Sequence, residues 1–279
     1  MARPGGSPMA CVVALTRPPR SRLEGHYRAP PTALGPPDPM SWIAEVAGLL
    51  GGTLYDLRMR LAGAPPWVVG HCHGDAEARA RVDALRAAGC GAVWADTAAV
   101  KVRDPGPYSV LAFEDEALRV EPGGWIVPLR AVRLVVLVTL DVERQTELVE
   151  RVTVSNVPRR GRVEMDVSRH NYTRQQQKGL YLLGDLEAPA LRIVQSTLRT
   201  AGMPGVTSRD RFDRFAERVC AGASEARVDR RFVEAPRKRT GFSLASTAGQ
   251  PHEAVHSNLA ATDLAVRLLA LGYHEGQMA

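Results

Sequence analysis

Five consecutive residues, His252, Glu253, Ala254, Val255 and His256, have the types and spacing to hold a zinc ion and activate a water on it. On a helix, imidazoles four residues apart fall on one face and can share a tetrahedral metal, while the intervening glutamate polarises the bound water. That reading makes His252 and His256 ligands, Glu253 the catalytic base and zinc the cofactor. Cys72 stands between His71 and His73, but on a strand the two imidazoles lie on one face and the thiol on the other, a poor zinc site. Arg159, Arg160 and Arg162 form a basic cluster suited to contact an anion or a nucleic-acid backbone, or to stand as a solvated hairpin tip. There is no GxxxxGK[ST], no GxGxxG after a strand and no GxSxG. The common phosphate cradles and the hydrolase elbow are therefore absent.

The elements that must position these residues decide how much chemistry they can do. Glu275 follows the HExxH segment at a distance that resembles the gluzincin peptidases, and the resemblance implies His252, His256 and Glu275 as the three metal ligands. Against it, Thr240 to Pro251 is small and polar and reads as a linker, which gives the motif no apolar core to sit in. The residues after the motif read as one helix. At about 1.5 Å per residue it carries Glu275 more than about 25 Å from His256. This helix has two adjoining apolar stripes, Leu259, Val266, Leu269 and Tyr273 on one and Leu264, Leu268 and Leu271 on the other. Two stripes predict a docking element, for its own domains or for a partner groove.

Further upstream, Ala10 to Thr16 reads as a buried strand, and the proline-rich stretch from Arg17 to Pro39 as a loop. Ser41 can cap a helix bearing Trp42, Ile43, Val46, Leu49 and Leu50, which ends at Gly51 and Gly52. Thr53 and Asp56 look like a capping pair for a second helix, with Leu54, Leu57 and Leu61 as its inner face. Trp67 to Cys72 is a strand, Asp75 opens a third helix carrying Ala78, Val82 and Leu85, and Gly91 to Ala95 is a strand. Gly51, Leu54, Asp56, Arg58, Leu61, Gly63, Ala64 and Pro65, followed by Asp75-Ala-Glu-Ala and by Ala88-Gly89, resemble the C-terminal domain of the bacterial ribosomal stalk protein and its ClpS-like relatives. The resemblance covers about 55 residues and implies a compact adaptor-like domain. Stalk members hold translation factors through lysines of the second helix; here those positions are Tyr55 and Arg58, which become the candidate partner contacts.

From Tyr108 the apolar pattern changes to period two. Strands are predicted at 108–113, 117–120, 125–129, 132–140, 147–154, 161–167, 180–183 and 190–194, and then one helix capped by Ser208 and faced by Phe212, Phe215, Ala216 and Val219. Seven or so strands closed by one helix resemble the bacterial pleckstrin-homology-like domains. Phosphoinositide-binding members place basic residues after the first strand. Here that loop is Glu114, Asp115 and Glu116, which repels an anionic headgroup.

Length and composition set the frame. A chain of 279 residues exceeds what one core organises efficiently, and 45% apolar with 24% charged residues is enough to fold without staples. The net charge of +6 points weakly to acidic partners, because basic residues interleave with acids at helical spacing, as in Glu77 with Arg81. Only three of the 36 basic residues are lysines, a bias of bacterial codon usage type. Four cysteines without CxxC spacing fit reduced thiols in the cytoplasm, and the longest apolar run, Leu134 to Leu140, is far short of a membrane span.

The sequence therefore reads as an α+β chain in four parts. These are a strand with a flexible segment (1–40), a stalk/ClpS-like α+β domain (41–100), a pleckstrin-homology-like β domain (107–235), and a linker with an amphipathic helical tail (236–279). The function expected first is a non-catalytic cytosolic adaptor or regulator with a protein partner held through Tyr55, Arg58, Leu264, Leu268 and Leu271, and without a cofactor. The alternatives are a zinc metallopeptidase through the HExxH segment and a nucleic-acid-binding protein through Arg159, Arg160 and Arg162.

Overall fold

The computed structural model describes residues 11–19, 41–103, 110–114, 116–121, 124–154, 163–200, 207–237, 240–243 and 252–278. It is mixed α+β, with three sheets among those residues. The first sheet is antiparallel. Strand β1 (Cys11–Arg17) leads through α1 (Ser41–Leu49) and α2 (Leu54–Arg60) to β2 (Trp67–Cys72), then through α3 (Asp75–Ala87) to β3 (Gly91–Asp96). The sheet order is β2-β1-β3, so the first strand lies in the middle. A middle strand covered on both faces must be apolar throughout, which Cys11-Val-Val-Ala-Leu supplies. Cys11, Val13 and Leu15 face α1 and α3 with Ile43, Val46, Val82 and Leu85, while Val12 and Ala14 face the other way.

The second unit opens with β4 (Val102–Arg103) and a meander of β5 (Val110–Glu114), β6 (Ala117–Glu121) and β7 (Trp125–Pro128). Strands β8 (Leu134–Val154) and β9 (Val163–Leu183) follow as one antiparallel pair in unbroken register, then β10 (Ala190–Val194), β11 (Arg199–Thr200) and helix α4 (Ser208–Gly222). Each of β8 and β9 is 21 residues long where the alternation predicted two shorter strands. The polar stretch around Asp141 to Thr146 breaks the apolar pattern but not the backbone ladder, because a pairing partner waits on each side. Helix α4 is capped by Thr207, not Ser208: Thr207 Oγ1 accepts from Asp210 N and the Asp210 carboxylate accepts from Thr207 N. Its Phe212, Phe215 and Val219 meet Leu118, Val120, Val135, Leu180 and Ile193 in a core between the meander and the long sheet.

The last segment completes the second sheet. Strand β12 (Arg227–Arg230) runs parallel to the start of β8 and turns into the short helix α5 (Arg231–Glu234), and β13 (Thr240–Ser243) pairs with β14 (His252–Ser257). Strand β14 pairs antiparallel with β8 over residues 142–147, and the chain closes with α6 (Leu259–His274). This helix lies between the first and second sheets. Leu268, with Leu264 and Leu271, packs on Val12, Ala14, Val93 and Ala95. Ala265, Val266, Leu269 and Ala270 pack on Leu134, Val136, Val138, Tyr181 and Leu183. The described residues thus stack as α1–α3, first sheet, α6, second sheet, then the meander with α4.

Polar contacts hold α6 in place. Arg192 Nη1 donates to both oxygens of Asp263 at 2.9 and 2.8 Å, and the Tyr181 hydroxyl donates to the same carboxylate. Fully buried Asn258 at the head of the helix accepts from Asp141 N at 2.9 Å and donates to Thr139 O at 3.0 Å. After the helix the chain hooks back. Thr16 Oγ1 donates to Gln277 O at 2.6 Å, and Glu275 pairs with Arg86. Gly91 lets that hook approach, since a Cβ there would overlap the Gln277 carbonyl oxygen and the Arg17 side chain.

Candidate functional site

The zinc reading depends on a helical turn that does not form. Residues 252–257 are strand β14, each paired in register with β8. At about 3.3 Å per residue, His252 and His256 have their Cα atoms about 13 Å apart, against about 6 Å on a helix. The polar stretch expected as a linker contains β13, which pairs with β14. Glu275 stands beyond the end of α6, in an ion pair with Arg86. In β2, Cys72 is buried between exposed His71 and His73. Arg159, Arg160 and Arg162 lie outside the described residues.

Thiol chemistry has no suitable setting either. All four cysteines are free, and burial pushes the Cys11 and Cys90 thiols up to about 11, where they stay protonated and unreactive.

Leu264, Leu268 and Leu271, expected as partner contacts, are used within the chain. They face the first sheet, and Leu268 is fully buried. The stripe is a packing face within the chain. Its partner is β1 and β3.

Tyr55 and Arg58 have a different placement. Thr53 starts α2 by accepting from Asp56 N at 3.1 Å, with its hydroxyl donating to Asp56 Oδ2 at 2.7 Å. In this two-turn helix only Leu57 is buried. Tyr55 is 71% exposed and Met59, one turn on, 53% exposed. Leu54, expected on the inner face, and Leu49 at the end of α1 are exposed as well, on either side of the Gly51-Gly52 turn. Arg58 and Arg60 occupy the last turn, where positive charge complements the carbonyl end of the helix. Sequence reading missed Met59. The signal was available, because Tyr55 and Met59 sit at i and i+4 on a stripe offset from Leu57 and Leu61.

Met59 also forms one wall of a groove of about 400 Å³ between the two sheets' helices. Its apolar lining includes Ala62, Pro66, Pro236, Ala261 and Leu264. Arg237 borders it, donating to Pro66 O at 2.7 Å and stacking 4.6 Å from the centre of the Phe232 ring. Burial holds the Arg237 guanidinium down to about 10, with nearby Arg231 acting the same way. The surface is thus an apolar strip, Leu49, Leu54, Tyr55 and Met59, running into an apolar groove with arginines at its margin. It can offer contact area and charge-assisted hydrogen bonds, but it contains no nucleophile, base or metal-ligand set.

Among the described residues no helix is long and apolar enough to cross a membrane, and no three metal-ligating side chains come together. No protein-family model, curated protein or solved structure matches the chain.

Proposed function

We propose that the protein is a non-catalytic adaptor or regulator that binds a protein partner through the outer face of α2 and the groove beside it. The observation that carries this reading is the exposure of Tyr55 and Met59, adjoining exposed Leu54 and Leu49, which gathers four of the exposed large apolar side chains among the described residues around one turn. Aromatic and methionine side chains next to arginine are the composition of interface cores. The order β1-α1-α2-β2-α3-β3 supports the stalk/ClpS-like reading of the first unit, and sheets closed by α4 support the pleckstrin-homology-like reading of the second. Four free cysteines fit a cytoplasmic location.

The test compares the full chain with Tyr55→Ser/Met59→Ser and with Arg58→Glu as baits in the source cytosol. Proteins retained by the wild type and lost from both variants, at unchanged thermal midpoint, support the reading. Identical retention by all three removes it.

A further inference from the structure

Away from α2, the end of α6 borders a second cleft, of about 590 Å³, in the range of small-molecule sites. Leu134, Leu183, Leu186 and Ala270 make its apolar walls, and Arg133 and Arg227 stand at its rim with Tyr273 and His274. We infer that this cleft binds a small organic anion with a flat apolar body, such as an aromatic carboxylate or sulfonate.

The argument rests on how Arg227 is held. Its guanidinium lies over the Tyr273 ring, 4.3 Å from its centre, which holds the charged group in place by a cation–π contact. The ring cannot drift, because its hydroxyl donates to Asp229 Oδ2 at 2.6 Å and accepts from Arg231 Nη2 at 3.1 Å. Arg231 in turn donates from Nε to both oxygens of buried Asp229, at 3.0 and 2.9 Å. The Asp229 carboxylate is thereby occupied by Arg231 and Tyr273. Arg227, exposed and stacked, has no carboxylate partner among the described residues.

A guanidinium held over a ring, with its N–H donors open and an apolar wall beside it, matches a ligand that joins an anionic group to a planar ring. Arg133 can add a second positive charge, since its bond to Glu225 at 3.1 Å joins two mostly exposed side chains and is weak. Asp185 also lines the cleft, but its Oδ1 accepts from Glu187 N at 3.2 Å within its own turn. Leu186, which lines the same cleft, supplies apolar contact.

The full-length protein would be titrated with the fluorescent aromatic anion 8-anilinonaphthalene-1-sulfonate and with uncharged N-phenyl-1-naphthylamine. Single-site binding of the sulfonate is expected. Arg227→Met, which keeps the stem on the Tyr273 ring, should weaken the sulfonate about tenfold, the size of one charge-assisted hydrogen bond, and leave the neutral probe within about twofold. Leu186→Glu should remove both probes. Tyr55→Ser/Met59→Ser should change neither, which separates this cleft from the α2 surface. Circular dichroism confirms that each variant is folded, and Leu186→Glu carries the test alone if Arg227→Met does not fold. The inference is overturned if the wild type shows no saturable sulfonate binding, if the folded cleft variants bind it as tightly as wild type, or if the α2 variant loses it.

Discussion

Helices α6 and α2 both carry leucines at helical spacing, and the molecule treats them in opposite ways. Two stripes run along α6 and each finds a sheet, so the helix becomes an inner layer with Leu268 and Leu269 fully buried. Helix α2 is two turns long and has a sheet on one side only. Leu57 enters the core and Tyr55 and Met59 are left outside. The difference is one of available surfaces. A 16-residue helix between two sheets can bury nearly all its apolar area, worth roughly 25 cal/mol per Å², while a seven-residue helix at the margin cannot. Apolar side chains on α6 hold the two units together. On α2 they remain exposed.

That contrast can be broken most severely at Asp263. Asp263→Ala takes the carboxylate from Arg192, whose side chain is 10% exposed, and from Tyr181; a loss of about 4 kcal/mol is expected, read by urea unfolding. Leu268→Ala should cost about 3 kcal/mol by opening a cavity between α6 and the first sheet. Calorimetry sharpens this second case. If α6 couples the two units, the midpoint of the whole transition falls; a change confined to one of two separate transitions would show that it does not.

Asp229→Asn is expected to cost about 2 kcal/mol at neutral pH, and it carries a pH signature. Burial pushes the Asp229 carboxyl up, but hydrogen bonds from Tyr273 and Arg231, with the Arg231 charge, outweigh burial and hold it below its ordinary 3.8. A carboxyl lowered by folding contributes stability that is present above that ordinary value and fades as pH falls below it. The wild type should therefore lose stability faster than Asp229→Asn on acidification below about pH 4, and parallel curves would contradict this role. Smallest of all, Tyr55→Ala and Met59→Ala should each shift stability by less than about 0.5 kcal/mol, because both side chains are mostly exposed. A loss above about 2 kcal/mol would mean that α2 is a structural face like α6.

Much of the first unit was legible because its signals are local. Thr53 capping α2, Gly89 with φ +80 after α3, and the run Cys11 to Leu15 each specify an element within a few residues. The two stripes of α6 were equally plain. Residues 252–256 were not, since His-Glu-Ala-Val-His satisfies a helical spacing and an extended one alike. What decided for the strand is the edge of β8, which offers residues 142–147 as partners to all six residues of β14. The exposure of Leu49 and Leu54 escaped notice for a similar reason: apolar residues beside a helix signal a face, not whether something covers it.

The α2 surface and the Arg227 cleft show the same division. By itself the sequence determined that Tyr55 and Met59 share a helical stripe. Only the tertiary structure decided that nothing described covers the first pair, and that Tyr273, 46 residues beyond Arg227 in the chain, supplies its stacking platform. The physical reason is that periodicity and capping act over a few residues, whereas burial depends on which distant segments arrive to share the surface.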